Sequence, residues 1–253
     1  MPCAVLIFRS RSIPAILVRY LQLAEHGGKT GILRKRHGDV RSSWERDRAF
    51  LFGKRRMPMT KRVAVVTGAS RGLGRGIARA LGSKGMQVFL TGRSIAALES
   101  AAAEVDAAGG TGIAVQCDHA DDVQVNGLFE RISDETGRLD LLVNNAAAVY
   151  PQELSTPGPF WEKDIKLAEM IDVGLRSNYI ASYYAAPLLL KSERSLIANI
   201  SFYGAASYFH GPAYGAAKAG TDKMVHDMGI DFADTPVSVV SIWPGYILTD
   251  MIK

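Results

Sequence analysis

A doubly wound α/β fold, a parallel sheet with helices on both faces, is what this sequence predicts, and three observations carry the prediction. From Lys61 onward, short apolar runs alternate with longer amphipathic stretches, the pattern of repeated βαβ units. The first run, "RVAVVT", passes directly into a glycine-rich turn, "TGASRGLG", and then into a helical stretch. The chain, 253 residues long with 47% hydrophobic residues, has room for one well-buried domain of this kind.

The elements follow in order. "RVAVVT" reads as the first strand, "LGRGIARALGSKG" as a helix closed by Gly85, and "QVFLTG" as the second strand. The Ala-rich "SIAALESAAAEVDAAGG" is a helix with a glycine stop, and "TGIAVQC" a third strand. "ADDVQVNGLFERISDETG" follows as a helix capped near Asp121, and "RLDLLVNNA" as a fourth strand. After an irregular "VYPQELSTPGPF", the length and periodicity of residues Trp161 to Lys191 predict one long helix. "SLIANIS" and "VSVVSIWPG" are two more buried strands, separated by a helix from about Tyr214 to Asp234. Six strands result.

Charge is divided unevenly. Residues 1–58 hold ten Arg and three Lys against four acids, a balance of +9, which leaves 17 bases and 21 acids, a balance of −4, for the remainder. The domain, residues 59–253, therefore has no electrostatic support for a nucleic-acid role. Residues 1–58 show no period after Leu23 and read as a basic, disordered extension. Three readings of it stand, in this order: an upstream extension absent from the working protein, with Met57 or Met59 as the start; a mitochondrial transit peptide, loosely matched by "MPCAVLIFRSRSIPAILVRYLQL"; and a nucleic-acid arm. No apolar run approaches the length of a membrane span. Two cysteines, Cys3 and Cys117, form no disulfide framework or zinc pattern and fit a reducing compartment, the cytoplasm.

The glycine turn has a physical reading of its own. Spaced T-G-x-x-x-G-x-G, it differs from the commoner G-x-G-x-x-G fingerprint, yet it sits between strand and helix, where bare backbone N–H groups and a positive helix end form an anion site. Gly68 can take turn dihedrals closed to other residues, and Gly72 and Gly74 allow close approach of a phosphate-bearing cofactor. Further along, Tyr214 and Lys218 of "YGAAK" stand four apart at the start of a helix and share a face. A cation there would lower the phenol's pKa towards a range useful for proton transfer. Ser201 ends the strand "LIANIS", 13 positions before Tyr214.

Together "TGASRGLG", "NNAA", Ser201 and "YGAAK" resemble the short-chain dehydrogenase/reductase family, over Lys61 to about Met251. Within it, "FWEKDIKLAEMIDVGLRSNY", "CDHADD" and "SIWPG" most resemble the dehydrogenase/reductase member one subgroup. The resemblance implies a Rossmann-type sheet and an oxidoreductase that transfers a hydride between NAD(P)(H) and a carbonyl or secondary alcohol. It implies Tyr214 as general acid or base, Lys218 as the residue that lowers the tyrosine's pKa and holds the nicotinamide ribose, and Ser201 as the hydrogen-bond partner of the substrate oxygen. Gly68, Ser70, Arg71, Gly72, Leu73 and Gly74 would line the cofactor, with Asp118 at the adenine, Asn144 and Asn145 beside the cofactor, and Pro244, Gly245 and Thr249 near the nicotinamide. Asn144 and Asn145 alone could be strand-end turn residues, and Asp118 a helix cap. Dimers and tetramers are common in the family, so a homo-oligomer acting on a small-molecule substrate is expected.

Charge argues for NADP(H) over NAD(H). Where an acid at the end of the second strand would bind the ribose hydroxyls of NAD, this chain has Gly92 followed by Arg93, with Arg71 inside the glycine turn. Two guanidiniums would hold a 2′-phosphate that an acid would repel. Two departures from the family pattern stand out. Gly174 occupies the position of a relay Asn, with Asp172 and Asn178 offset nearby, and the chain stops where members continue into a substrate-covering segment and a further strand, so the C-terminal strand is expected to be missing. The alternative reading is therefore a cofactor-binding but catalytically inactive scaffold, or a gene fragment. His210, Tyr208 and Phe209, in the loop before Tyr214, are candidates for lining the substrate pocket. No metal is expected.

Overall fold

A computed structural model describes residues 61–244. The readings placed on residues 1–58, and those on Gly245, Thr249 and the expected missing strand, lie outside the described residues.

Six parallel strands, β1 (Val63–Val66), β2 (Gln87–Gly92), β3 (Thr111–Gln116), β4 (Leu141–Asn144), β5 (Ser195–Ile200) and β6 (Val237–Ile242), form one sheet in the order β3-β2-β1-β4-β5-β6. The order reverses between β1 and β4, the place where a doubly wound sheet opens a crevice at its carboxyl edge. The strands alternate faces residue by residue. Ala64 and Val66 join Leu141 and Val143 in a core beneath α1 (Gly72–Gly82) and α2 (Ile95–Ala107), while Val63, Val65 and Leu142 join a second core beneath α3 (Asp122–Thr136), α4 (Ser177–Leu189) and α5 (Pro212–Asp231). Apart from the partly exposed edge strand β3, the strands are therefore buried on both sides, as parallel sheets require.

Local chemistry sets most element ends. Ser94 caps α2, and Asp121 accepts from the Val123 and Gln124 amides to cap α3, which closes at left-handed Gly137. The last helix starts at Pro212, two residues before the expected start, because proline is suited to a first helical turn whose N–H would be unpaired anyway. Within the stretch expected to be irregular, Pro151–Ser155 makes one helical turn.

The long helix expected over Trp161–Lys191 is broken. Two short 3₁₀ turns, Phe160–Glu162 and Ile165–Ala168, lead into a single helical turn, Glu169–Ile171, and then into a widened π turn over Asp172–Arg176 before α4 begins. Val173 (φ −107°, ψ 85°) and Gly174 (φ 153°) leave helical geometry altogether. The periodicity of the sequence could not show this, because the break is made by tertiary contacts: the Val173 carbonyl accepts from the Ala148 amide at 2.7 Å, and Gly174 is buried between the end of β4 and α5.

Candidate active site and cofactor cleft

The glycine turn after β1 is laced to the end of β4. Asn145 donates its side-chain amide to the carbonyls of Thr67 (2.8 Å) and Gly68 (3.1 Å), and the Thr67 hydroxyl accepts from the backbone amides of Asn145 and Ala146, both at 2.9 Å. Gly68 and Gly72 take left-handed φ values of 64° and 57°. A Cβ on Gly68 would fall 2.9 Å from Ala146 Cα, and one on Gly74 only 2.4 Å from the Gly68 carbonyl oxygen. The turn is thus a compact backbone cradle. At its end α1 begins behind Arg71 in an extended conformation, with no side-chain cap and no acid in the first turn. First-turn amides and a positive dipole end left without a cap are what a phosphate-bearing dinucleotide needs, so the residues fit such a cofactor. Leu73 packs against the core below, and the Ser70 hydroxyl lies against Gly92 at the end of β2.

Beside this cradle Arg71 and Arg93 are exposed, and neither forms a salt bridge among the described residues. The positive charge of Arg93 reaches the Tyr150 phenol in the loop after β4, whose hydroxyl donates to Glu169. Asp118 follows β3 and accepts from the Ala120 amide at 3.0 Å, so it shapes a turn of its own, and Asp121 is the residue that caps the helix. Next to it His119 is buried and hydrogen-bonded to the Thr91 hydroxyl at 2.7 Å. Burial pulls its pKa down to about 4.

At the other end of the crevice, β5 and α5 bring Ser201, Tyr214 and Lys218 together. Ser201 is buried directly after β5, its amide held by the Ile242 carbonyl at 2.9 Å, and its hydroxyl donates to the Lys218 carbonyl at 3.2 Å. Lys218 is 7% exposed; its ammonium donates to the Ile200 carbonyl at 3.0 Å and lies 5.6 Å from the centroid of the Tyr214 ring. Burial pulls Lys218 down to about 8, opposed by the charge of Asp222. Desolvation pushes the Tyr214 phenol up to about 12, while the Lys218 ammonium donates to a backbone carbonyl and stands over the ring. Phe209 and His210 pack on Tyr214, His210 edge-on at 5.3 Å between centroids with a strained φ of 60°, while Tyr208 is 83% exposed.

Gly174 has no side chain to offer a relay; its carbonyl accepts from Asn178 Nδ2 at 2.7 Å, and the Thr221 hydroxyl, which donates to the Ala217 carbonyl at 2.8 Å, stands 3.2 Å from it. Asp172 is exposed and Asn178 is buried. Asn144, buried at the end of β4, donates to the side chains of Ser182 and Asn199. It therefore braces the sheet against α4, a role different from that of Asn145.

Comparison with known proteins decides what this crevice belongs to: the short chain dehydrogenase family profile matches residues 62–253. The chain belongs to the short-chain dehydrogenase family. It is 41% identical over 199 residues to human "Dehydrogenase/reductase SDR family member 1", an alignment that covers 78% of this chain and 64% of that protein. The chain thus spans less than two thirds of the length of that relative. It is 34% identical over 198 residues to a 3-oxoacyl-[acyl-carrier-protein] reductase of Synechocystis, covering 76% of this chain and 77% of that one. Among solved structures, a metagenomic short-chain oxidoreductase in complex with NADP superposes with a TM-score of 0.66 at 33% identity, over 73% of this chain and 82% of its own. The six-stranded parallel order seen here is the Rossmann-type sheet expected of a member of the family.

Within this short-chain dehydrogenase, Gly68, Ser70, Arg71, Gly72, Leu73, Gly74, Arg93, Asp118, Asn145 and Pro244 all lie at or just beyond the carboxyl ends of the parallel strands, together with Ser201, Tyr214 and Lys218. Sequence reasoning missed His119, Tyr150 and Asp222. Asp222 carried a signal, since it lies four residues beyond Lys218 on one helix face; His119 and Tyr150 carried none, because their partners are distant in sequence.

Proposed function

We propose that this protein is an NADP(H)-dependent oxidoreductase that interconverts a carbonyl and a secondary alcohol. The observation that carries the reading is the convergence of Ser201, Tyr214 and Lys218 at the same sheet edge as the uncapped glycine cradle. The cradle amides would hold the pyrophosphate, and Arg71 and Arg93 a 2′-phosphate, through charge-assisted hydrogen bonds. NADP(H), when bound, supplies or accepts the hydride. The protein's share is orientation and the proton. Ser201 exchanges its hydrogen bond with the Lys218 carbonyl for one to the substrate oxygen. Tyr214, whose phenol is held protonated, donates its proton to that oxygen as it becomes an alkoxide, and the nearby Lys218 charge stabilises the phenolate left behind. A phenol with a raised pKa favours the reducing direction at neutral pH, and alcohol oxidation is expected to gain as pH rises.

The test has two parts. Fluorescence titration should show NADPH binding more tightly than NADH, and Tyr214→Phe should lower NADPH-dependent carbonyl reduction by about 10²–10⁴-fold with cofactor affinity nearly unchanged. Turnover equal to the parent protein's in that variant would remove the proposed chemistry.

Gly174, which has no side chain at the relay position and whose carbonyl already accepts from Asn178, favours a second reading, a cofactor-binding scaffold without turnover, for which NADPH binds and no carbonyl is reduced. Among the described residues no helix is long and apolar enough to cross a membrane. We place the protein in the cytoplasm as a homo-oligomer acting on a small molecule, with a mitochondrial address if residues 1–58 serve as a transit peptide.

A further inference from the structure

Asp222 stands outside the machinery described so far. It lies one helical turn beyond Lys218 and two beyond Tyr214, so the three side chains share one stripe of α5. Its carboxylate is committed to the end of β6: the Ser241 hydroxyl donates to Oδ1, and the Trp243 indole N–H donates to Oδ2 at 3.0 Å and to Oδ1 at 3.3 Å. Ser241 is fully buried in β6, and Trp243 is the first residue beyond the strand, directly before Pro244. A single carboxylate thus joins the exit of β6 to the helix that carries the tyrosine and lysine.

It also carries a negative charge one helical turn from the buried Lys218 ammonium, on which that charge acts. Among the described residues, the groups that act on the Lys218 side chain are the Tyr214 ring and Asp222 on its own helix and the Ile200 carbonyl on β5. His210, from the loop before α5, faces Tyr214, and its own charged neighbour is Lys163. Lys223, adjacent to Asp222, is bound by Asp227 at 2.6 Å and so does not serve as the counter-ion of Asp222. A carbonyl and an aromatic face offset only part of the desolvation of an ammonium; a carboxylate one turn away adds a full opposite charge.

We infer that Asp222 is a positioning residue that keeps the buried Lys218 charged and, through Ser241 and Trp243, ties the β6 exit to the helix bearing Tyr214 and Lys218. The catalytic meaning of this device rests on the proposed oxidoreductase reading; the charge coupling itself does not. Burial alone drives Lys218 towards its neutral form, and Asp222 is the charge that opposes it. An amide at position 222 would lose that charge and turn one donor towards another, since both Ser241 and Trp243 donate to it.

The test follows the Lys218 ammonium itself, by NMR of protein labelled at the lysine side chain, with the resonance assigned through Lys218→Met. No substrate or cofactor is needed, so this result stands apart from success or failure of the redox reading. Asp222→Asn is expected to move the Lys218 midpoint down by about half a pH unit or more, and Asp222→Glu to restore most of it. Trp243→Phe, which removes the indole donor and keeps the charge, should leave the midpoint in place while lowering thermal stability. If Asp222→Asn does not fold, Asp222→Ser combined with Trp243→Phe, in which no indole donor is left unpaired, should show the same downward shift. An unmoved midpoint in a folded variant lacking the carboxylate overturns the inference, as does an equal shift in Trp243→Phe alone. Once a substrate is in hand, the upper limb of the kcat–pH profile should fall to lower pH in Asp222→Asn and stay put in Trp243→Phe.

Discussion

Gly74 and Asn145 touch across the cofactor cradle: a Cβ on Gly74 would stand 2.5 Å from Asn145 Nδ2 and 2.4 Å from the Gly68 carbonyl oxygen to which that amide donates. The turn, the first helix and the end of β4 are therefore one packed unit in which a single methyl group has no place. Gly74→Ala is expected to lower stability by about 1–3 kcal/mol, the usual cost of overpacking, and to weaken NADPH binding more than tenfold. Thermal unfolding and a fluorescence titration check both, and binding within twofold of the parent protein would contradict the cradle's role.

Gly174→Ala should fail for a different reason. The nearest atom to an added Cβ is Ala147 Cβ at 3.9 Å, so space exists, but φ is 153°. The expected loss is about 1–2 kcal/mol of backbone strain. A chemical-denaturation midpoint unchanged by the substitution would show that the widened turn before α4 can relax.

The proposed contact of Arg71 and Arg93 with a 2′-phosphate predicts that they separate the two nicotinamide cofactors by charge. Replacing either by Glu should raise the Kd for NADPH about tenfold or more, since a charge-assisted hydrogen bond contributes about 1.5–3 kcal/mol, and should change the Kd for NADH little. Equal effects on both cofactors would assign the arginines to something other than the 2′-phosphate.

His119 links stability to pH. Its folded pKa, about 4, lies below the ordinary 6.5, so the unfolded chain binds more protons between those values, and stability present above pH 6.5 is lost as pH falls towards 4. The loss from this one group is on the order of 3 kcal/mol. In His119→Gln the decline of stability between pH 6.5 and 4 should be shallower than in the parent protein, measured by urea unfolding at each pH. An unchanged slope would mean that the histidine does not stay neutral.

Where the sequence could be read alone, the reason was local. β2 and α2 fall where the run "QVFLTG" and the cap Ser94 place them, because apolar alternation, capping and glycine stops act within a few residues. The glycine turn and the Tyr214–Lys218 stripe were legible for the same reason, since each is a short pattern within one element or at its edge. The stretch from Trp161 to Lys191 was misread because its break depends on Ala148 and Thr221, residues of other elements.

By itself, then, the amino-acid sequence determined the βαβ alternation, the glycine turn and the identity of the residues carried to the crevice, all consequences of periodicity and short-range backbone chemistry. Only the tertiary structure decided how those residues stand towards one another. Burial raises the Tyr214 phenol, the Ile200 carbonyl takes up the Lys218 ammonium, and Asp222 joins α5 to Trp243, because desolvation and charge coupling depend on distances between elements that no run of neighbouring residues encodes.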